Sequence, residues 1–289
     1  MIRHCYKRFA FLSSVAASFV LSGDVFGITI FSVGGDNTPA SIQGTVDSFR
    51  AALGNPNNGN APGPLAGGRR EINWDGGGPP VDANSPGGTP FDVFLNNRGA
   101  RFTTPGTGFL QGPPSGGPDG GFEDFFNNSS LGEIFGVFSK NRIFSPVNSN
   151  ITDVSFFIPG TNGSQPATVT GFGAIFTDVD LLGSASIELF DIHNNSIFSQ
   201  NVSPGTVPKG SFSFLGIADA VEQIFRVRIT SGNAPIGPKG GARGVDLVAM
   251  DDFFHAEPQR VSESGVGIGL IGLVLGFMLL SYRRSPAVS

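Results

Sequence analysis

Short apolar segments recur along the second half of the chain, about ten residues apart, from position 142 onward. Turn residues such as Pro159–Gly163 and Asp191–Asn195 separate them. This spacing is typical of antiparallel sheets and predicts a mainly β protein, an antiparallel β-sandwich of jelly-roll type. The expected strands are Arg142–Phe144, Asp153–Ile158, Thr168–Thr177, Ala185–Phe190, Ile197–Val202, Phe212–Leu215, Ile224–Ile229 and Val245–Phe254.

One helical period stands out in the first half of the chain. Four apolar residues repeat at helical spacing between Thr38, a suitable N-cap, and Gly54, a suitable stop: Ile42, Val46, Phe49 and Leu53. Such a stripe predicts an amphipathic helix over residues 38–53 that packs on the body of the domain, or alternatively docks a partner.

Long Gly/Pro-rich loops surround this helix and dominate residues 28–120. Asn55–Gly68 and Phe109–Gly121 are expected to be loops. Between them, Glu71–Asp75, Phe91–Leu95 and Ala100–Thr104 have the length and composition of short strands.

The N-terminus has the pattern of a secretory signal peptide. Arg3, Lys7 and Arg8 precede an apolar segment, Phe9–Leu21, and small residues end at Gly27. We expect residues 1–27 to direct export and to be cleaved, with a retained N-terminal anchor as the alternative.

The C-terminus has the pattern of a membrane span. Ser264–Tyr282 is a run of 19 residues without a charge. A helix of that length reaches roughly 28 Å, enough to cross a bilayer. Arg283 and Arg284 follow at once and favour the cytoplasmic side. The span is expected over residues 264–282, and a buried helix of a soluble core is the alternative.

A short motif precedes that span: Val261, Ser262, Glu263, Ser264 and Gly265. Motif, single span and terminal arginines together resemble the PEP-CTERM sorting signal of Gram-negative bacteria in its V-P-D-S-G form, with Ser262 in place of proline and Glu263 in place of aspartate. Ala256–Pro258 resembles the other form of that motif. The resemblance implies an exosortase-type processing enzyme, the bacterial membrane and exopolysaccharide as partners, and a location at the cell envelope. A plain membrane anchor is the alternative.

Composition further narrows the possible classes of fold and function. Gly 43 and Pro 21 among 289 residues argue against a mostly helical protein. The single cysteine, Cys5, lies in the predicted signal peptide, so the mature chain has no disulfide and no thiol nucleophile. A net charge of −5 disfavours nucleic acid as a partner. The expected division is a signal peptide at 1–27, an ectodomain at 28–260 and a sorting tail at 261–289.

Aspartates gather near predicted strand ends, and this suggests calcium, which prefers oxygen ligands. The segment Val248–Phe254 resembles the last strand of lectin-like β-sandwich modules. That resemblance implies a structural Ca²⁺ held by Asp251 and Asp252 together with Asp75 near the first strand. The alternative is that these acids are solvated turn residues or local caps.

Trp74 is the sole tryptophan and admits two interpretations, a core residue or an exposed face that stacks on a sugar. His193 and His255 have no partner at metal-ligand spacing, so both are expected at the surface. No hydrolase elbow, zinc motif or phosphate loop is present in the sequence.

Two functions fit these observations. The first is an exported, surface-anchored, non-enzymatic protein associated with extracellular matrix or polysaccharide. The second is a secreted polysaccharide-active hydrolase that uses a carboxylate pair. Its candidate carboxylates are Glu71, Glu123, Asp124, Glu188 and Asp252.

Overall fold

A computed structural model of the chain describes residues 27–76, 85–116, 120–218, 223–238 and 243–261. The predicted signal peptide up to Phe26 and the sorting tail from Ser262 onward lie outside these residues. Within the described ranges, no helix combines the length and apolarity that a membrane span requires.

The described chain is mainly β, with antiparallel pairing throughout its sheets. The helices are α1 Ala40–Leu53, α2 Leu95–Arg98, α3 Phe122–Phe125 and α4 Leu131–Ile134. The strands are β1 Thr29–Gly34, β2 Arg69–Ile72, β3 Ser85–Gly87, β4 Ala100–Thr103, β5 Gly108–Gly112, β6 Ile143–Val147, β7 Ile151–Phe156, β8 Ala167–Thr168, β9 Gly171–Thr177, β10 Ser186–Phe190, β11 Ser196–Asn201, β12 Phe212–Ala218, β13 Arg226–Thr230, β14 Ala249–Ala256 and β15 Gln259–Arg260.

Most of these strands form two sheets, one larger than the other. The larger sheet has the order β1-β12-β9-β14-β6-β5-β3, with β2 also paired to β14. The smaller sheet has the order β11-β10-β13-β7-β4, and β15 pairs with β8 separately. The last long strand, β14, therefore lies in the interior of the larger sheet.

The larger sheet is covered on both faces. On one face Phe49 of α1 contacts Phe31 and Phe214, with ring centroids 5.4 Å apart in both pairs. On the other face Phe172 of β9 packs against Phe156 of the smaller sheet at 6.3 Å. This double cover explains why β9 and β14 are buried along their whole length.

Helix α1 buries the four apolar residues that the helical period singled out. Its ring of Phe49 enters a notch where a Cβ on Gly173 or Gly216 would come within 2.6 Å of the ring. Thr38 does not cap the helix, because its hydroxyl donates to Asp36 instead.

Three expectations for the first half of the chain are wrong. Phe91–Leu95 is no strand, because only Phe91 bridges to Phe102 before α2 begins. Phe109–Gly121 is no continuous loop, because it begins inside β5, which pairs with β6. The strand expected at Glu71–Asp75 ends at Ile72 as β2, where the chain turns toward the site described next.

Candidate functional site

Two adjacent aspartates lie in a β-bulge in the middle of β14. Pairing with β9 is regular on both sides of it, but Asp251 and Asp252 together lie opposite a single residue, Ile175. A bulge redirects side chains out of the usual alternation and is frequent beside functional sites. Both aspartates are buried, with 0% and 5% of their surface exposed.

A third aspartate reaches the same place from the end of β2. Trp74 adopts a left-handed backbone with φ 63°, and this turn carries Asp75 toward the bulge. The indole N–H of Trp74 donates to the backbone oxygen of Asp251 at 2.7 Å. Its ring stacks on Phe144, with centroids 3.7 Å apart. Trp74 therefore fixes the chain just after β2 to the bulge of β14.

The hydroxyl of Ser139 lies among the three carboxylates. Its Oγ is 2.6 Å from Asp252 Oδ1, 3.3 Å from Asp251 Oδ1 and 3.4 Å from Asp75 Oδ2. One hydroxyl proton serves one carboxylate at a time, and the shortest distance assigns it to Asp252. Asp75, Asp251 and Asp252, the three aspartates that the sequence nominated, thus form one cluster around Ser139.

Backbone N–H groups next to Ser139 complete this aspartate cluster. The N–H of Phe138 donates to Asp251 Oδ2 at 2.7 Å, and the N–H of Arg142 donates to Asp75 Oδ1 at 3.0 Å. The carboxylates therefore hold the segment 138–142 against the end of β2 and the bulge of β14.

Proximity and burial change the acidity of the cluster. Burial raises the pKa of Asp251 well above its usual range, and the charge of Asp252 raises it further. Burial also raises the pKa of Asp252 and the pKa of Asp75. Because carboxylates this close oppose each other's ionisation, Asp251 is the member that keeps its proton longest as pH rises.

The aspartate cluster has the donor atoms of a calcium site but not its geometry. Its donors are all oxygens, which is the chemistry that Ca²⁺ prefers. The geometry is different, because a serine hydroxyl and two N–H groups already engage the carboxylates. Over the described ranges, no three His, Cys, Asp or Glu side chains are placed to hold a metal ion. Calcium binding here stays a prediction.

A second acidic group lies where β9 ends. Asp246 accepts hydrogen bonds from the N–H groups of Asp180 and Leu181 at 3.2 and 3.0 Å. Burial raises the pKa of Asp178 to about 7, and the charges of Asp180 and Asp246 add to this. Asp178 therefore titrates near neutral pH.

A buried ion pair joins the end of β14 to β2. Arg70 and Glu257 meet through two bonds of 2.7 and 2.8 Å, with side chains 0% and 1% exposed. Glu257 also accepts from Asn58 Nδ2 at 2.8 Å, which anchors the loop before β2. Glu257 is therefore an interior residue of the described fold.

The burial of two residues, Trp74 and His255, tests the predictions made for them. Trp74 is 0% exposed, so its face is not available to a sugar and the core interpretation is confirmed. The expectation for His255 is wrong, because it is 0% exposed and packs at 5.1 Å from Phe156. Burial lowers the pKa of His255 to about 3, so it is neutral. His193 is exposed, as expected.

An open cavity of about 520 Å³ lies beside the segment 138–142. Its volume falls in the range of small-molecule sites. The walls combine apolar and polar residues, namely Pro113, Pro114, Ser115, Gly132, Phe135, Val137, Lys140 and Asn141. Sequence reasoning missed this concave surface, since its residues come from the loop after β5, from α4 and from the segment before β6.

Two of the carboxylates nominated for hydrolysis, Glu71 and Asp252, are engaged in structural contacts. Glu71 binds Arg50 at 3.1 Å and Arg69 at 2.7 Å. Asp252 is held by Ser139 inside the cluster. A glycosidase needs two carboxyl groups that face a bound sugar, and these two residues are paired with protein groups instead.

Comparison of the chain with protein-family models, with curated proteins and with solved structures yields no match.

Proposed function

We propose that this chain is an exported, surface-anchored, non-enzymatic protein whose ectodomain is an antiparallel β-sandwich of jelly-roll type that associates with extracellular polysaccharide. The C-terminal tail is the sorting and anchoring segment, processed by an exosortase-type enzyme at the bacterial membrane.

One observation carries the proposal. Among the described residues, secondary structure runs from Thr29 to Arg260, while the predicted cleavage site lies at Gly27 and the sorting motif begins at Val261. Processing at both places leaves every described strand and the whole described core intact. This supports a division in which the two ends serve export and anchoring and the part between them forms the folded body.

The cavity next to the segment 138–142 is the surface on which we place the glycan. It is concave, mixes apolar walls with Ser115, Lys140 and Asn141, and is lined in part by the segment 138–142 that the aspartate cluster holds. Sugars combine apolar ring faces with hydroxyl groups, so such a lining suits them. Trp74 takes no part, because it is buried.

Export and anchoring are tested in a Gram-negative host that carries an exosortase. Protease added to intact cells is expected to degrade the protein, and its mass should correspond to a chain that begins at Ile28. Replacing Arg283 and Arg284 by glutamate should leave an unprocessed precursor, because the cytoplasmic charge that orients the span is lost. Protection from protease in intact cells would contradict the proposal.

Glycan association is tested with the full-length chain in detergent on a panel of polysaccharides. Retention on one glycan class is expected, with at least a tenfold loss for Lys140→Ala at the cavity. Arg243→Ala, an exposed cation elsewhere, serves as the matched control. Equal retention of both variants would remove the cavity from the proposal, and turnover of a glycan would favour the hydrolase instead.

A further inference from the structure

The outer edge of the larger sheet is formed by β1, and its composition is unusual for an exposed edge. All six residues of β1 pair regularly with β12, from Thr29 opposite Ala218 to Gly34 opposite Ser213. The strand has no charge, no proline and no bulge, and Ile30 is 45% exposed. Natural edge strands commonly carry a charged residue, a proline or a bulge, because a regular edge is a template for a further strand.

The other described sheet edges do carry such devices. β3 has only three residues and includes Pro86. The pairing of β11 shifts between Leu189 and Phe190 of its neighbour. β4 is short and contains Arg101, which binds Asp92. Among these described edges, β1 is thus the exception.

The two flanks of helix α1 differ in charge, and the uncharged flank lies along the β1 edge. Its polar and charged residues, Gln43, Asp47 and Arg50, bond to one another and to Glu71, on the flank away from β1. The flank toward β1 is made of small uncharged residues. Together with Ile30, Phe31 and Ser32 they line a groove of about 710 Å³; the helix contributes Ala40, Ser41, Gly44, Thr45 and Ser48.

No local contact explains why a glycine, Gly44, lies in the middle of α1. A Cβ at this position would meet no atom within 4 Å. Glycine weakens a helix interior relative to alanine, and neither a turn nor a neighbouring group in the described structure requires it here. A glycine on a helix flank allows another helix to approach closely.

We propose that β1 is the interface between two copies of this chain, paired antiparallel about a two-fold axis perpendicular to the sheet. Such pairing is self-complementary, since each copy offers the same strand. Neighbouring strands lie about 4.8 Å apart and α1 lies over β1 and β12, so the two α1 helices would be about 10 Å apart. This is the distance at which helices pack. The facing flanks carry no charge, so the copies meet without repulsion.

Cross-linking tests this proposal in the full-length chain at the cell surface or in detergent. In a Cys5→Ser background, Ser32→Cys supplies a single thiol close to the proposed axis. Mild oxidation is expected to give a species of twice the chain mass on non-reducing gels. Leu182→Cys, at the most exposed large apolar residue, 76% exposed, is the matched control and should stay monomeric.

Two variants separate this interface from association through the tail. Ile30→Lys should reduce the Ser32→Cys cross-link at least tenfold, because each copy would have to bury a lysine charge in the joined edge. Gly44→Gln should reduce it similarly while raising the melting temperature, since it removes only the close approach. Equal cross-linking from Ser32→Cys and Leu182→Cys, a cross-link to a different protein, or no cross-link would overturn the proposal. A cross-link that either variant leaves unchanged would also overturn it.

Discussion

Asp178 makes the stability of this protein pH-dependent near neutrality. Its pKa in the folded chain is raised to about 7, above the ordinary value of 3.8, mainly by burial. A carboxyl group with a raised folded pKa contributes stability at low pH that is lost as pH rises from about 4 through about 7. We therefore expect Asp178→Asn to raise the melting temperature at pH 8 and to leave it nearly unchanged at pH 4.

Asp191 supplies the matched control for this prediction. Burial alone would raise the pKa of Asp191, but the hydrogen bonds from Asn195 and His193 together outweigh it and lower that pKa. The sign is reversed, because a lowered folded pKa gives stability above the ordinary value. Asp191→Asn should thus lower the melting temperature at pH 8. If both variants respond alike at pH 8, the burial of Asp178 is not what governs its charge.

Three of the four side chains in the aspartate cluster could be predicted from the sequence. Acids near predicted strand ends nominated Asp251 and Asp252, the resemblance to lectin-like modules added Asp75, and the structure places all three around one hydroxyl. Ser139 itself carried no signal, because a serine in a loop is common and its partners lie more than 60 residues away in the sequence. The burial of His255 was equally hidden, since it depends on the cover over both faces of β14, which comes from distant parts of the chain.

At the scale of elements, the Arg70–Glu257 pair ties β2, the loop before it and the end of β14 into one unit. Removing one partner leaves the other charge buried without compensation. Glu257→Gln should lower the free energy of unfolding by about 3–5 kcal/mol in urea denaturation. The double variant Arg70→Met with Glu257→Leu should recover much of this loss, because no lone charge remains.

The exposed pair of Lys209 and Glu133 provides the comparison, with side chains 60% and 70% exposed. Lys209→Ala should change the unfolding free energy little, because water already solvates both groups. A loss as large as that of Glu257→Gln would show that burial is not the cause of the difference.

The elements themselves were predictable to different degrees. Most strands after residue 142 and helix α1 follow from local periodicity. β5 was missed because Gly108 and Gly112 give it the composition of a loop, although β6 supplies its partner. Phe91–Leu95 was misassigned because an apolar run of five residues fits a strand or a helix start equally well. The glycine notch that receives Phe49 is a contact between distant strands, and local composition carries no trace of it.

At the scale of the whole molecule, the aspartate cluster links stability to pH and to cations. Raised pKa values at Asp75, Asp251 and Asp252 mean that, without an ion, stability is lost as pH rises above about 4. If the cluster takes Ca²⁺ when folded, ion at about 100 times its dissociation constant adds about 2.7 kcal/mol. We expect calcium to raise the melting temperature at pH 8 and much less at pH 5, where protons compete.

Asp251→Asn is the variant that tests where the ion acts. It should abolish the calcium effect while also removing part of the pH dependence. An identical melting temperature in calcium and in chelator at pH 8 would rule out the ion and leave the cluster as a proton-sharing structural joint.

The position of β14 has a consequence for the order in which the protein matures. This strand pairs with β9 on one side and with β6 and β2 on the other, yet it is the last long strand to be synthesised. Until Ala249–Ala256 has emerged, its three partner strands have no neighbour at that place, and the larger sheet cannot close. If the chain is exported from its N-terminus as proposed, the larger sheet therefore stays open until translocation is nearly finished. An open sheet of this kind would favour passage through a narrow channel.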